Sequence, residues 1–273
     1  MEKVEIIKLI ENTKAVNGQK IISLLLLSLK FSLDEPAVIK QSRSQIGGAP
    51  TIFDQHYPSL HDVPLSFLAQ ISLDDIHYLN DLLPKSGLLC FFILVNDIGN
   101  RYPDRKDEFK VVFVNNTTRG NANGNSEDIP AFPISFVEQF TFPSYQEDVI
   151  VKNNMTDEDL FLMESLEMEV QSASALTDIG HQILGHPNAV QGTVRFWWAA
   201  KYLGIDQIDA ITQEQMDSIN QEEDQFVLLL QLDFSDPKIG IEHFGDSVAY
   251  FGIHEKDLAK ESFDNVILVM QNT

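Results

Sequence analysis

A chain of 273 residues, 44% hydrophobic and 10% aromatic, can build a large core in one or two domains and is too apolar to be disordered. Its 41 acidic residues outnumber 19 basic ones for a net charge of −22, which argues against phosphate backbones and anionic membranes as partners. The longest apolar run, Leu24 to Leu27 extended through Leu29, is too short to span a bilayer. Met1-Glu2-Lys3 opens an amphipathic segment rather than a secretory signal, so a cytoplasmic protein is expected.

Residues 4–15 carry Val4, Ile6, Ile7, Leu9 and Ile10 between glutamates and lysines, the pattern of a surface helix ending near Asn17-Gly18. Leu27, Leu29, Phe31 and Leu33 then alternate with Ser28, Lys30 and Ser32, which argues strand, although Ile21 to Leu26 would equally continue a helix. A short strand is expected at Ala37 to Lys40. The loop Ser44 to Pro50 follows, its Gly47-Gly48 suited to a turn with positive φ and lacking the Lys-Ser or Lys-Thr of a phosphate loop.

Phe67 to Ile71 and Gly87 to Leu94 read as strands buried on both faces, separated by a short helical insert around Asp74 to Leu83. The lone cysteine, Cys90, excludes an internal disulfide and is expected as a small buried hydrophobe in a reducing compartment. Val111 to Val114 is a further strand. Asn115 to Asp128, rich in Asn and Gly, reads as a mobile loop.

Thr156 to Asp159 resembles a capping box with Asp in place of Glu, and Leu160, Met163, Leu166 and Val170 recur behind it at helical spacing. A second box, Thr212 to Gln215, starts a shorter acidic helix reaching Glu222. Between them lies a loop, His181-Gln182-Ile183-Leu184-Gly185-His186-Pro187, leading past Gln191-Gly192 to a strand or short helix through Phe196. If Trp197 and Trp198 lay on a strand they would point to opposite faces, one to the core and one to a partner-binding surface. Phe226 to Asp233, Gly245 to Ile253 and Val266 to Met270 read as strands.

Two of these strand pairs echo each other. Gln70 sits in Leu68-Ala69-Gln70-Ile71 ahead of Gly87 and its aromatic strand; Gln231 sits in Leu230-Gln231-Leu232 ahead of Gly245 and Tyr250-Phe251. The glutamines lie 161 residues apart and the glycines 158. The expectation is an α+β fold, with mainly antiparallel or mixed β-sheets from two related halves packed in one core and peripheral helices at the N-terminus and near 156–171 and 212–222. It is read as one domain: an N-terminal helical segment over 1–35, a first half over about 36–150 and a second over about 151–273, by internal duplication.

The chemistry is less legible. His181 and His186 match neither the His-Glu-x-x-His pattern nor zinc-finger spacing, so neither a metal nor a cofactor is expected. Gly245-Asp246-Ser247 is similar to the start of an esterase block, but the residues after it continue as strand, and a Gly-x-Ser-x-Gly elbow is absent from the sequence. Gln70, His181, Gln182, His186, Gln191 and Gln231 are the candidates for a polar, ligand-binding cleft between the halves; alternatively they satisfy backbone groups where strands meet. Between Lys152 and Lys238 only Arg195 and Lys201 are basic, which makes the second half an acidic surface.

Taken together, Ser44 to Pro50, Phe67 to Ile71, Pro84 to Phe92, His181 to Pro187 with Gln191-Gly192, and Gly245 to Phe251 resemble the YwqG family of bacterial proteins, a domain of unknown function. The resemblance runs from about residue 36 to the end of the chain. It departs where the family's Gly-Gly-x-Pro loop continues with Leu-Pro, since Thr51-Ile52-Phe53 follows here. It implies a mixed α and β fold and a bacterial origin, and supplies no catalytic residue. Two functions remain in view: a non-catalytic binding module, which by family-level analogy could be immunity-like toward a basic protein partner, and an enzyme or small-ligand receptor using the polar cleft.

Overall fold

The computed structural model describes residues 1–36, 43–76, 81–95, 101–115, 129–172, 180–205 and 210–272. The strand expected at Ala37 to Lys40 lies outside them, as do 116–128 of the Asn- and Gly-rich segment and 77–80 of the helical insert, of which Leu73–Asp75 is one 3₁₀ turn. Helix α1 (Lys3–Thr13) turns its Ile6 and Ile10 inward and ends at Lys14 in the left-handed conformation, before Asn17-Gly18, which instead opens α2 (Gly18–Ser23). The ambiguous stretch is therefore both things in turn: helix to Ser23, then strand β1 (Leu26–Leu33).

Strand β2 (Gln45–Ile46) follows. A small hairpin, β3 (Ser59–Leu60) and β4 (Val63–Pro64), leads into β5 (Ser66–Ser72), β6 (Leu88–Ile93), β7 (Phe109–Val114) and β8 (Phe132–Thr141). Short α3 (Asp148–Lys152) precedes α4 (Asp157–Ser172), whose start is the expected box: Asp159 N–H donates to Thr156 Oγ1 at 3.2 Å and Thr156 N–H to Asp159 Oδ2 at 2.9 Å. Then come β9 (Gln182–Leu184), α5 (Val194–Tyr202), α6 (Gln213–Glu222), β10 (Phe226–Asp233), β11 (Ser247–His254), α7 (Glu255–Leu258) and β12 (Ile267–Asn272). The Thr212–Gln215 box on α6 is likewise reciprocal.

Ten strands form one antiparallel sheet in the order β12-β11-β10-β9-β1-β8-β2-β5-β6-β7. It curls into a nearly closed barrel, so that Phe91 on β6 and Phe109 on β7 meet Phe251 on β11 edge to face, at 5.2 and 6.4 Å between ring centres. The fold is α+β, as expected. Every residue of β5, β6 and β11 is buried, which is why these strands read as unbroken apolar runs. One core fills the barrel, a second lies under α5 around Trp198, and a third packs α1, α2 and α4 against Phe142 and Ile150.

The strand order is the same from either end. Outward from the central β1–β8 pair, β9 mirrors β2, β10 mirrors β5, β11 mirrors β6 and β12 mirrors β7. Even the irregularities match: the β5–β6 register slips between Phe67 and Ala69, and the β10–β11 register between Leu228 and Leu230, positions again 161 residues apart. Gln70 faces Cys90 and Gln231 faces Tyr250, so equivalence on the following strand runs at 160 residues, and Gly87 and Gly245 stand two places out of register. β1, which lies within the expected N-terminal helical segment, is a central strand beside β9.

Candidate functional site

Five of the six polar residues singled out by sequence, all but Gln191, gather into two polar clasps, one per half. In the first, Gln70 lies beside Gln45 on β2; its Oε1 accepts from Thr51 N–H at 2.8 Å and its Nε2 donates to Arg43 O at 2.7 Å. In the second, Gln231 lies beside Gln182 on β9; its Oε1 accepts from Asn188 N–H at 2.9 Å and its Nε2 donates to Gly180 O at 2.7 Å. Gln45 Nε2 donates to Ala49 O at 3.2 Å, and Gln182 Nε2 to His186 O at 2.6 Å. Between those partners the chain makes the same left-handed turn, with φ of 63° and 68° at Gly47 and Gly48 and of 59° and 74° at Leu184 and Gly185.

The correspondence extends to the histidine. Ser44 Oγ accepts from Ser72 N–H at 2.9 Å and donates to Asp75 at 3.4 Å. His181 Nδ1 accepts from Asp233 N–H at 3.0 Å, which leaves the proton on Nε2 to be donated to Asp236 Oδ2 at 3.2 Å. That bond holds the Asp236 carboxyl below its ordinary value. One imidazole thus does in the second half what a serine hydroxyl does in the first, bridging a strand amide to a carboxylate, and its ring also stacks on Phe31 at 5.4 Å. An acid–base role is not needed to account for it.

His186 is committed as well. Its Nε2–H donates to Leu24 O at 2.6 Å and its Nδ1 accepts from Arg195 Nη1 at 3.1 Å. Burial, with the Arg195 charge adding to it, pulls this imidazole down to about 3, so it stays neutral. Arg195 is itself buried and faces Glu147 at 3.8 Å, whose other oxygen accepts from Val194 N–H at 3.0 Å at the start of α5. Burial raises the Glu147 carboxyl, against the pull of Arg195. The structure therefore brings His181, Gln182, His186 and Gln231 together in one clasp and keeps Gln70 in the other.

Gln191 lies apart from both clasps, its side-chain oxygen accepting from Asn272 N–H at 3.3 Å at the end of β12. Trp197 and Trp198 are on helix α5, not a strand, because Thr193 caps Phe196 N–H. Trp198 is fully buried, its indole donating to Tyr250 O at 3.2 Å, while Trp197 is half-buried. Among the described residues no group of three or more His, Cys, Asp or Glu could hold a metal ion, and no helix is long and apolar enough to cross a membrane.

Concave surface occurs elsewhere, at the seam where the end strands β7 and β12 approach each other. Three adjoining hollows of about 380, 640 and 690 Å³ share walls there. Trp197, Lys201 and Tyr202 of α5 form one side; Arg101 to Lys106, ahead of β7, form the other; Phe109, Val266 and β12 make the floor. Of the sequence candidates only Gln191 and Trp197 reach this groove. Arg105, Lys106, Lys201 and Tyr202 escaped the sequence reading because they come from segments about a hundred residues apart, with no local motif to link them.

The model of a family described as a domain of unknown function, DUF1963, matches residues 44–271. The chain belongs to that family. The DUF1963 match opens at Ser44, one residue after the first clasp's Arg43, and runs through all but the last residue of β12, so it spans every side chain of both clasps and the lining of the seam groove. A search of curated proteins returns no match that would lend it an activity.

Proposed function

We propose that this protein is a binding module that acts in the cytoplasm and engages a basic protein partner through the acidic face of its second half, an immunity-like role being one form of this. The observation that carries the reading is the outer stripe of α4. Phe161 and Met168 are 70% and 54% exposed, two turns apart on one face, with Glu158 and Glu164 exposed between and beside them. An exposed phenyl ring and thioether set among carboxylates complement a basic, amphipathic segment. The sequence carries no lysine or arginine between Lys152, which is paired with Glu223 and Asp224, and Arg195, which is buried against His186 and Glu147.

The clasps support a binding role over a catalytic one, because their glutamines are occupied by the chain's own backbone and their histidines by backbone together with Asp236 and Arg195. We infer further that the two halves descend from one copied unit, on the strength of the matched bonds, turns and register slips, and that the chain is related to the bacterial YwqG-like proteins. The immobilised protein and its Phe161→Ser/Met168→Ser variant, exposed to cell lysate at low and high salt, test the function. A basic partner retained at low salt, lost at high salt and lost with the variant is expected; equal retention by the variant would count against α4.

A further inference from the structure

We propose that the seam groove binds an extended acidic peptide segment of a partner protein, laid as an added strand along β12. This site is separate from the α4 face. β12 reads Ile267-Leu268-Val269-Met270-Gln271-Asn272, with neither the charged residues nor the proline that usually protect the edge of a sheet. Asn272 N–H, instead of turning to β11, donates to the Gln191 side chain at 3.3 Å. Strand periodicity then turns the amides of Met270 and Leu268 the same way, out along the groove. Gln191 supplies at the last residue the acceptor that a bound strand would supply at the two before it.

Charge selects the occupant. Arg101, Arg105, Lys106, Lys110 and Lys201 line the groove against Asp104, Asp107 and Asp264 on its surface and Glu108 buried behind it, a positive balance in a chain of net charge −22. Arg101 is held by Glu108 and Asp104, and Lys110 by Asp264 at 2.6 Å. Arg105, 3.9 Å from the same Glu108, and Lys106, which donates to Asn265 Oδ1 at 3.4 Å, lie exposed on the rim, and Lys201 reaches from the other side to donate to Asp104 O at 3.0 Å. Trp197, Tyr202 and Phe109 offer apolar contacts between them, so an alternating acidic and apolar strand matches the wall in both respects. At physiological salt the Debye length is about 8 Å, so the distant carboxylates are screened while these close contacts are not.

The test is fluorescence anisotropy on the full chain with a labelled peptide of about ten residues alternating glutamate and valine. Three comparisons accompany it: a lysine and valine peptide, the glutamate peptide N-methylated at alternate amides, and the Lys106→Glu/Lys201→Glu variant, whose fold is checked by circular dichroism. The expected result is saturable binding of the glutamate peptide, weakened about tenfold or more in each comparison. Absence of saturable binding, equal binding of the lysine peptide, or binding indifferent to N-methylation or to the charge reversal each overturns the proposal. The Phe161→Ser/Met168→Ser variant should bind the peptide normally, which separates this site from the α4 reading.

Discussion

Gly252 on β11 lies directly under the buried indole of Trp198. A Cβ there would stand 2.4, 2.5 and 2.7 Å from Trp198 Cε2, Cδ2 and Cζ2, whereas ordinary contact begins near 3.4 Å. The ring cannot swing aside: it is fully buried, bonded through its N–H to Tyr250 O and tilted over Phe226 at 6.0 Å. The φ of Gly252 is not in the left-handed region, so the penalty of Gly252→Ala is one of packing rather than of backbone strain. Overpacking costs about 1–3 kcal/mol, at the upper end where the ring cannot move, and replacing glycine in a strand returns up to about 1 kcal/mol, so a net loss of about 2 kcal/mol is expected. Urea unfolding followed by far-ultraviolet circular dichroism reads this as a lower midpoint. Trp198→Leu is destabilising alone, but in that background Gly252→Ala should cost close to nothing, a coupling of about 2 kcal/mol. A loss under about 0.5 kcal/mol in the wild-type background, or the same loss in both, would refute the reasoning.

The remaining predictions concern the clasps and the buried charges. Gln70→Leu and Gln231→Leu each strand one amide and one carbonyl, so each should cost about 2–4 kcal/mol by chemical denaturation, and the double variant should cost the sum because the clasps share no partner. His186 binds its proton more weakly folded than unfolded, so its contribution is intact above the ordinary 6.5 and stability falls as pH drops from there toward about 3; His186→Asn should flatten that slope in a pH series of unfolding curves. Glu223 works in the opposite sense. Burial, opposed by Lys152 and reinforced by Asp148 and Asp224, pushes its carboxyl up to about 7, so the folded state holds a proton the unfolded state has lost. Stability should therefore fall as pH rises from about 4.5 to about 7, and Glu223→Gln should reduce that fall, leaving the part due to the raised Glu147.

What could be read from sequence was set by how completely each element is buried. β5, β6, β10 and β11 lie within the barrel wall and show continuous apolar runs bounded by turns, which survive any reading. β8 was passed over because its burial is partial: Ser135, Glu138 and Gln139 interrupt Ile134, Phe136 and Val137, and it is the long pairing with β1 that makes it a strand. β2 is two residues long, held between β5 and β8 and flanked by the bonds that Gln70 and Gln45 make to the chain on either side of it. α5 is open to either reading from sequence. Val194-Arg195-Phe196-Trp197-Trp198 is β-branched and aromatic, a strand composition, yet the Thr193 cap and the recess over Gly252 make it a helix. The polar residues of the clasps were visible as out of place in apolar strands, but their purpose was not, because each serves a carbonyl or amide brought to it by the fold.

The near-symmetry of the molecule also indicates where its specific function should lie. Groups that both halves possess, the glutamine braces and the left-handed turns, answer a need that both halves share, which is to seat a short strand beside a bulged one. Function belongs to what only one half has. Between Thr51 and Gln70 the first half spends its chain on a small hairpin; between Asn188 and Gln231 the second builds α5 and α6, and the offset between equivalent residues grows from 137 to 161 across that connection. The added helix can lie flat only because Gly252 stands where β6 carries Phe92, whose ring instead fills its own side against Phe67 and Tyr57. Seating α5 there is what brings Trp197, Lys201 and Tyr202 to the rim of the seam. Gly252→Ala should therefore weaken binding of the glutamate peptide in the groove while leaving the α4 face untouched, although residue 252 contacts neither.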